Sequence, residues 1–187
     1  MSGTVHLVDT FRPAESVTLK LGLDWPVLTA AYAMWQAQGL FRQISWRHPD
    51  ATLKDFLDWN YDPAHEPVGC YVGDRLLGIG WICQAWRIDG RVSAEVGAAF
   101  LKGTPLSLWH RALDLLLRHA FVDRKFDTIY GLCPVASGDA RMFVEYCRMR
   151  PAETATLPWG EKVPADMIVC RLDRAAWEFE SGARKVA

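Results

Sequence analysis

Residues 91–122, RVSAEVGAAFLKGTPLSLWHRALDLLLRHAFV, join a strand pattern to a helix pattern through a short glycine-containing loop. Apolar residues occupy alternate positions from Val92 to Phe100, which is the period of a β-strand. From Leu106 to Ala120 the apolar residues recur every three or four positions, as they do on the buried side of an amphipathic helix. This stretch therefore predicts a strand, a tight loop and a long helix in direct succession.

The loop of this stretch has the residues that begin a helix. Thr104 is expected to cap the helix, and Pro105 suits its first position, where a missing N–H costs nothing. The free amides at the helix start and the charge of Lys102 would together attract an anion. The alternative is an ordinary junction between a strand and a helix, without a ligand.

The composition predicts one globular domain over residues 1–187. The chain is 50% apolar and has no internal repeat or low-complexity linker, and its length suffices to bury a sizeable core. We expect a core from about 17 to 173, an N-terminal arm over 1–16 and a polar tail over 174–187.

The charge of the chain argues against a nucleic-acid or membrane-surface partner. The formal net charge is −1, and like charges do not form runs. The N-terminus lacks the pattern of a signal peptide, and no stretch reaches the roughly 18 apolar residues of a membrane span. We therefore expect a cytoplasmic protein whose partners are small molecules or proteins.

Cysteine and histidine positions predict neither a disulfide framework nor a metal site. The five cysteines contain no C-x-x-C pair and lie mostly in apolar runs, which is typical of reduced, buried thiols. The five histidines have no metal-ligand spacing. His110 and His119 lie nine positions apart on the long helix, and we expect both at its surface.

Periodicity and breaker residues predict the order of the remaining elements. The predicted elements are a strand (17–22), two helices (26–36 and 52–61), a three-stranded antiparallel meander (68–101), the long helix ending near 122, a strand (128–135), a helix (138–149) and two strands around a loop (158–164). A strand, helix and strand in succession form a crossover, so the strand at 128–135 should run parallel to the strand at 91–101.

Three passages in this order resemble the GCN5-related N-acetyltransferase (GNAT) superfamily. They are AEVGAAFLKG with its helix LSLWHRALDLLLRHAF (94–121), DTIYGLCPVASGDARMFVEYCRM (127–149) and LPWGEKVPADMIVCRLDRAAW (157–177). The resemblance implies an α+β fold with a mixed, mostly antiparallel sheet of six to seven strands and about four helices on its two faces. It also implies an enzyme that transfers an acyl group from acetyl-CoA, or another acyl-CoA, to an amine.

The loop that binds the cofactor in that family departs from the family pattern here. The family carries Q/R-x-x-G-x-G/A, whose backbone amides bind the pyrophosphate of acetyl-CoA, whereas residues 104–109 read T-P-L-S-L-W. Pro105 removes a donor and Trp109 is bulky. The resemblance implies a cofactor site made of Phe100, Leu101, Lys102, Gly103, Thr104, Ser107, Ser137 and Phe143. The alternative is a GNAT-shaped protein without catalysis, which acts as a binding or assembly partner.

Attack by an amine requires a proton acceptor, and Glu95, on the strand beside the implied cofactor, is our candidate base. The alternative is a glutamate that faces solvent. The family's usual tyrosine on the later helix is replaced by Val144, so Tyr146 is the candidate acid, with Tyr130 and Cys133 as alternatives on the preceding strand.

The resemblance places the amine acceptor among the first two helices and the loop between the last two strands. Trp25, Tyr32 and Trp159 lie in these segments and are the predicted acceptor-binding residues. The acceptor would be a small-molecule or protein amine. An exposed strand edge and many aromatic residues leave a homodimer open.

Overall fold

The structure, a computed structural model, describes residues 16–44, 48–88, 90–135, 137–152, 156–157 and 160–179. Most of the predicted N-terminal arm, the end of the predicted tail and Trp159 lie outside these residues.

The described part of the chain forms five α-helices, one π-helical turn, seven strands and a further helical stretch at 174–179. The helices are α1 (Trp25–Ala37), α2 (Phe41–Ile44), α3 (Leu53–Tyr61), α4 (Leu106–Arg118) and α5 (Gly138–Cys147), and the π-helical turn is His119–Asp123. The strands are β1 (Val17–Leu21), β2 (His65–Val72), β3 (Arg75–Ile88), β4 (Arg91–Phe100), β5 (Thr128–Pro134), β6 (Arg150–Pro151) and β7 (Met167–Asp173).

The strands pair in the order β1-β2-β3-β4-β5-β7-β6. The pairs β1–β2, β2–β3, β5–β7 and β6–β7 are antiparallel, and β4–β5 is parallel. The predicted α+β class, the mixed and mostly antiparallel sheet and the parallel crossover are confirmed.

Several predicted boundaries were wrong. The second strand begins at His65, three residues before the predicted start. Of the predicted strand just before the loop at 158–164, residues 153–155 lie outside the described residues, Thr156 forms an isolated bridge with Lys162, and the two-residue β6 lies earlier in the chain. Residues 174–179 are helical rather than a tail, and the ring of Trp177 stacks on Phe121 at 5.2 Å. Aromatic packing thus orders the first part of the predicted tail.

The chain divides into two compact units, and each has its own core. The first unit comprises Met1–Cys83 and Ala98–Leu116, and the second comprises Gln84–Gly97 and Leu117–Ala187.

An aromatic cluster fills the core of the first unit between α1, α2 and α3 and one face of β2 and β3. Its members are Tyr32, Trp35, Phe41, Phe56, Trp59 and Trp81, with centroids of neighbouring rings 4.7–6.2 Å apart. The fully buried Asn60 is the polar centre of this cluster, because it accepts a hydrogen bond from Trp81 Nε1 at 2.8 Å and donates to the Phe56 carbonyl at 2.8 Å. Sequence reasoning had no prediction for Asn60.

Helix α4 packs on the opposite face of β3. A Cβ added at Gly80 would lie 2.7 Å from the side chain of Leu116, whereas Ile79 and Trp81, on either side of it, face the aromatic cluster. Helices therefore cover both faces of the sheet in the first unit, as predicted.

At Gly78 the backbones of β3 and β4 approach too closely for a side chain. A Cβ there would lie 2.3 Å from the Ala99 carbonyl oxygen and 2.7 Å from Phe100 Cα. We expect Gly78→Ala to lower the free energy of unfolding by about 1–3 kcal/mol, because backbone atoms cannot move aside as a side chain can. Urea unfolding measures this change. The matched control is Gly97→Ala, where a Cβ meets nothing within 4 Å, and equal effects of the two variants would contradict this account.

Partly buried polar side chains next to the strands form hydrogen bonds in the second unit. The Asp127 side chain accepts a hydrogen bond from the Val92 amide at 2.8 Å, and Arg174 donates to the Phe126 carbonyl at 2.6 and 2.8 Å. The expected surface position of His119 was wrong, because His119 is buried and hydrogen-bonded through Nδ1 to Asp123 at 3.0 Å. The hydrogen bond to the Asp123 carboxylate offsets the cost of burying the imidazole.

The five cysteines are free and buried, so their predicted burial is confirmed. Burial raises the pKa of the Cys70 thiol to about 12. In the described part of the chain, no helix is long and apolar enough to cross a membrane.

Candidate functional site

The loop between β4 and α4 is held by three hydrogen bonds within the first unit. The Leu77 carbonyl accepts from the Leu101 amide at 2.8 Å and from the Thr104 hydroxyl at 3.2 Å. The Lys102 amide donates to Gln38 Oε1 at 2.9 Å. Gly103 has a φ of +86°, which favours glycine at this turn. The loop is thus held in place by the Leu77 carbonyl of β3 and by Gln38, which follows α1.

The start of α4 differs by one residue from the prediction. The Pro105 carbonyl accepts from the amides of Leu108 and Trp109 at 2.9 and 3.1 Å, so Pro105 precedes the helix rather than beginning it. The amides of Leu106 and Ser107 have no partner inside the helix, since the first turn never does, and both residues are exposed. Two amide donors and the positive end of a 13-residue helix therefore lie at the surface.

Trp109 does not cover the start of the helix. Its ring stacks on Phe100 of β4, with the centroids 4.9 Å apart and the planes 19° from parallel. The bulky residue that replaces the family's last glycine or alanine therefore packs on the sheet. It leaves Leu106 and Ser107 at the surface, and 49% of Leu106 is exposed.

In the second unit, β4 and β5 pair over a short distance. Their ladder consists of three residue pairs, Ser93 with Thr128, Ala94 with Ile129 and Glu95 with Tyr130. Both strands continue beyond the last pair, β4 to Phe100 and β5 to Pro134. Glu95 and Tyr130 therefore mark the point at which β4 and β5 stop pairing.

Glu95 and Tyr130 lie side by side on one face of the sheet at this point. They are buried, with 8% and 9% of each residue exposed, and paired positions of a ladder project to the same face. The alternative that Glu95 faces solvent is therefore wrong. Sequence periodicity correctly placed Glu95 on the strand, but alternation alone did not indicate that both of its faces are covered.

A row of polar residues continues across this face onto β7. Tyr130 pairs with Arg171, and Thr128 pairs with Asp173. The Asp173 carboxylate accepts from Thr128 Oγ1 at 2.7 Å and from Arg171 Nη2 at 2.8 Å. Burial opposes the ionised carboxylate, but these two hydrogen bonds outweigh it and hold the pKa of Asp173 below its ordinary value. The hydrogen bond to Asp173 in turn raises the pKa of Arg171.

Helix α5 begins as the sequence predicts. The Ser137 hydroxyl accepts a hydrogen bond from the Ala140 amide at 3.2 Å and so caps the helix. Phe143 and Tyr146 are partly buried on this helix. Ser137, predicted to contact the cofactor, thus also has a structural role.

Two of the predicted acceptor-binding residues, Trp25 and Tyr32, lie on α1. Trp25 begins α1 and is 64% exposed. The Tyr32 hydroxyl donates to the Ala51 carbonyl at 3.1 Å and accepts from Gln36 Nε2 at 3.0 Å. Trp159 lies outside the described residues. Among the described residues, no three His, Cys, Asp or Glu side chains are grouped to hold a metal ion.

Comparison with known proteins gives matches in structure alone. No family model and no curated protein matches the sequence. The N-acetyltransferase PseH of Campylobacter jejuni in complex with acetyl coenzyme A is 11% identical, with a TM-score of 0.58 over 84% of this chain and 98% of that chain. Mycobacterium smegmatis RimJ in complex with CoA-disulfide is 15% identical, with a TM-score of 0.65 over 94% of each chain.

The spermidine N-acetyltransferase of Vibrio cholerae, in its dodecameric structure, is also similar. It is 14% identical, with a TM-score of 0.62 over 88% of this chain and 98% of that chain. These three proteins match this chain over nearly their whole length despite the low identity. The element order, the mixed sheet with its parallel β4–β5 pair and these likenesses together show that the chain has the fold of the GCN5-related N-acetyltransferase (GNAT) superfamily.

Proposed function

We propose that this protein is an acyl-CoA-dependent N-acyltransferase that moves an acyl group, acetyl in the simplest case, from CoA to an amine. The observation that carries the proposal is the end of the β4–β5 ladder at Glu95 and Tyr130, in a chain with the GNAT fold. Beyond this pair the backbone groups of two neighbouring strands are available to an extended ligand, next to a buried carboxylate. An acyl-CoA-dependent enzyme would act in the cytoplasm, as the sequence led us to expect.

The residues at the start of α4 fit a pyrophosphate. The amides of Leu106 and Ser107 and the dipole of the helix favour a negative charge, and Lys102 lies in the exposed loop just before them. Trp109 is packed on Phe100 and leaves these donors at the surface. Acetyl-CoA would supply the activated thioester, and the loop residues Lys102, Gly103, Thr104 and Ser107 would hold its phosphates.

The buried Glu95 fits the role of base. An amine attacks only in its neutral form, and a carboxylate within reach of the nitrogen can accept its proton. Among the predicted acceptor residues, Trp25 has its ring exposed to bind an amine, whereas the Tyr32 hydroxyl already has two partners. A protein that matches this fold is a spermidine N-acetyltransferase, which makes polyamines a first class of acceptor to test.

Calorimetry with acetyl-CoA tests the proposal. We expect saturable binding by the wild type, and Ser107→Glu should weaken it by about 5- to 10-fold, because a carboxylate beside the free amides competes with the phosphates. The matched control is Val122→Glu, which adds the same charge in the π-helical turn, where Val122 is 48% exposed. This control should bind as the wild type does.

Two results would contradict the proposal or part of it. If the wild type does not bind acetyl-CoA at millimolar concentration, the chain is a GNAT-shaped binding or assembly protein without the cofactor. If binding occurs but Ser107→Glu leaves it unchanged, the phosphates do not bind at the start of α4.

A further inference from the structure

The geometry points to Tyr130 as the residue that donates a proton to the departing CoA sulfur, and to Glu95 and Tyr130 as one proton-exchanging pair. This inference rests on the proposed function. It replaces Tyr146, the acid suggested by sequence reasoning, with a residue of β5.

The first observation is the position of Tyr130 in the ladder. Tyr130 is the partner of Glu95 in the last β4–β5 pair, and both side chains project to the same face. Neighbouring strands are about 4.8 Å apart, so the phenol and the carboxylate border the same end of the paired region. A thioester bound between β4 and β5, beyond their last pair, would therefore lie next to the side chains of Glu95 and Tyr130 on this face.

The second observation concerns the face of the sheet on which the end of α5 lies. Helix α5 contacts β5, and Met149, just after this helix, lies 3.3 Å from where a Cβ of Gly131 would be. Successive residues of a strand point to opposite faces, so Gly131 faces Met149 whereas Tyr130 faces the other way. The ring of Tyr130 packs instead with Leu157 and Val169. Tyr130 thus shares a face with Glu95, and the end of α5 lies on the other face.

The third observation is the fixed positive charge beside Tyr130. Arg171 is the cross-strand partner of Tyr130 on β7, and Asp173 holds its guanidinium through Nε at 3.2 Å and Nη2 at 2.8 Å. A phenol that gives up its proton becomes negatively charged, and a neighbouring cation compensates that charge. The row Glu95, Tyr130, Arg171 therefore provides an acceptor, a donor and a counter-charge in sequence across three strands.

The protons balance within this pair. The amine nitrogen forms the new C–N bond as the C–S bond breaks, the nitrogen loses a proton to Glu95, and the Tyr130 hydroxyl gives its proton to the sulfur. The protonated carboxyl of Glu95 then returns a proton to the Tyr130 oxygen. Both residues end the cycle as they began it, and the products are the amide and CoA with a free thiol.

The test compares CoA with desulfo-CoA, which lacks the sulfur, and needs no knowledge of the acceptor. A hydrogen bond between the Tyr130 hydroxyl and the sulfur should make the wild type bind CoA about 2- to 10-fold more tightly than desulfo-CoA in calorimetry. Tyr130→Phe should abolish this preference, because it removes one oxygen and keeps the ring. Tyr146→Phe, the matched control, should keep the preference.

Turnover with an amine acceptor gives a second readout. Tyr130→Phe should lower kcat by about 10- to 100-fold at an unchanged KM for acetyl-CoA, a split that a merely structural role would not produce. Tyr130→His, which retains a ring and a donor, should recover part of the loss.

Each outcome decides a different question. A preference for CoA that persists in Tyr130→Phe, that disappears in Tyr146→Phe, or that is absent from the wild type overturns the inference and leaves the transferase proposal intact. Failure of the wild type to bind either ligand overturns the transferase proposal itself. Should Tyr130→Phe fail to fold, the wild type and the Tyr146→Phe variant still decide, because loss of the preference in the latter assigns the sulfur contact to Tyr146.

Discussion

Glu95→Gln is expected to lower the rate of acyl transfer by about 10²- to 10⁴-fold, the usual contribution of a positioned base. The substitution keeps the size and hydrogen-bonding capacity of a buried side chain, of which 8% is exposed, and removes its ability to accept a proton. Acetyl-CoA affinity should stay unchanged, because the base acts on the amine. The measurement is release of the CoA thiol in the presence of a panel of primary amines, with calorimetry for cofactor binding.

The control for this experiment is Glu178→Gln. Glu178 is an exposed carboxylate in the helical residues 174–179, so its neutralisation changes the net charge equally without touching the strand. We expect the control to retain full activity. A Glu95→Gln variant that also retains full activity would show that another group accepts the proton, while leaving cofactor binding untouched.

Asn60→Ala should lower the free energy of unfolding by about 2–4 kcal/mol. The variant leaves the buried Trp81 indole N–H without its hydrogen-bond partner. An unsatisfied buried group costs about 1–3 kcal/mol, and the lost side-chain volume adds to it. Urea unfolding, followed by tryptophan fluorescence, measures the change.

A double-mutant cycle isolates the hydrogen bond to Trp81. In a Trp81→Phe background there is no indole N–H that could lose its partner. The loss of unfolding free energy caused by Asn60→Ala should therefore be smaller by about 1–3 kcal/mol. Asp58→Ala, an exposed position on the same helix, should change the stability by less than about 0.5 kcal/mol. Equal costs of Asn60→Ala in the two backgrounds would mean that the bond contributes nothing to stability.

Short-range signals predicted much of the fold correctly. Asp24 and Ser137 cap their helices through side-chain oxygens, and each lies just before an apolar periodic stretch, which is a local signal for a helix start. The turns at Gly73 and Gly90 have φ of +56° and +78°, as expected of hairpin turns. These features depend on residues within a few positions of one another, which is why a single sequence reveals them.

The candidate site was predicted in part. The loop after β4, the place of Glu95 on that strand and the parallel placement of β5 follow from periodicity and the crossover rule, whereas the burial of Glu95 does not. Neither periodicity nor the crossover rule predicts the stacking of Trp109 on Phe100. From the sequence alone, the bulk of Trp109 argued against cofactor binding at the start of α4. The burial of His119 was also missed, although Asp123 four positions later was a signal for a partnered histidine.

The sequence by itself determined most of the strands and helices, the caps at Asp24 and Ser137, and that β4 and β5 run parallel, because propensity, capping and chirality act locally along the chain. Only the tertiary structure decided that β4 and β5 pair at three positions and then stop, and that Tyr130 is the partner of Glu95 in the last pair. Strand register is set by contacts between residues 35 positions apart, such as the bond from the Val92 amide to Asp127. A shift of one residue would reverse every face of the strand, and no local pattern contains that information.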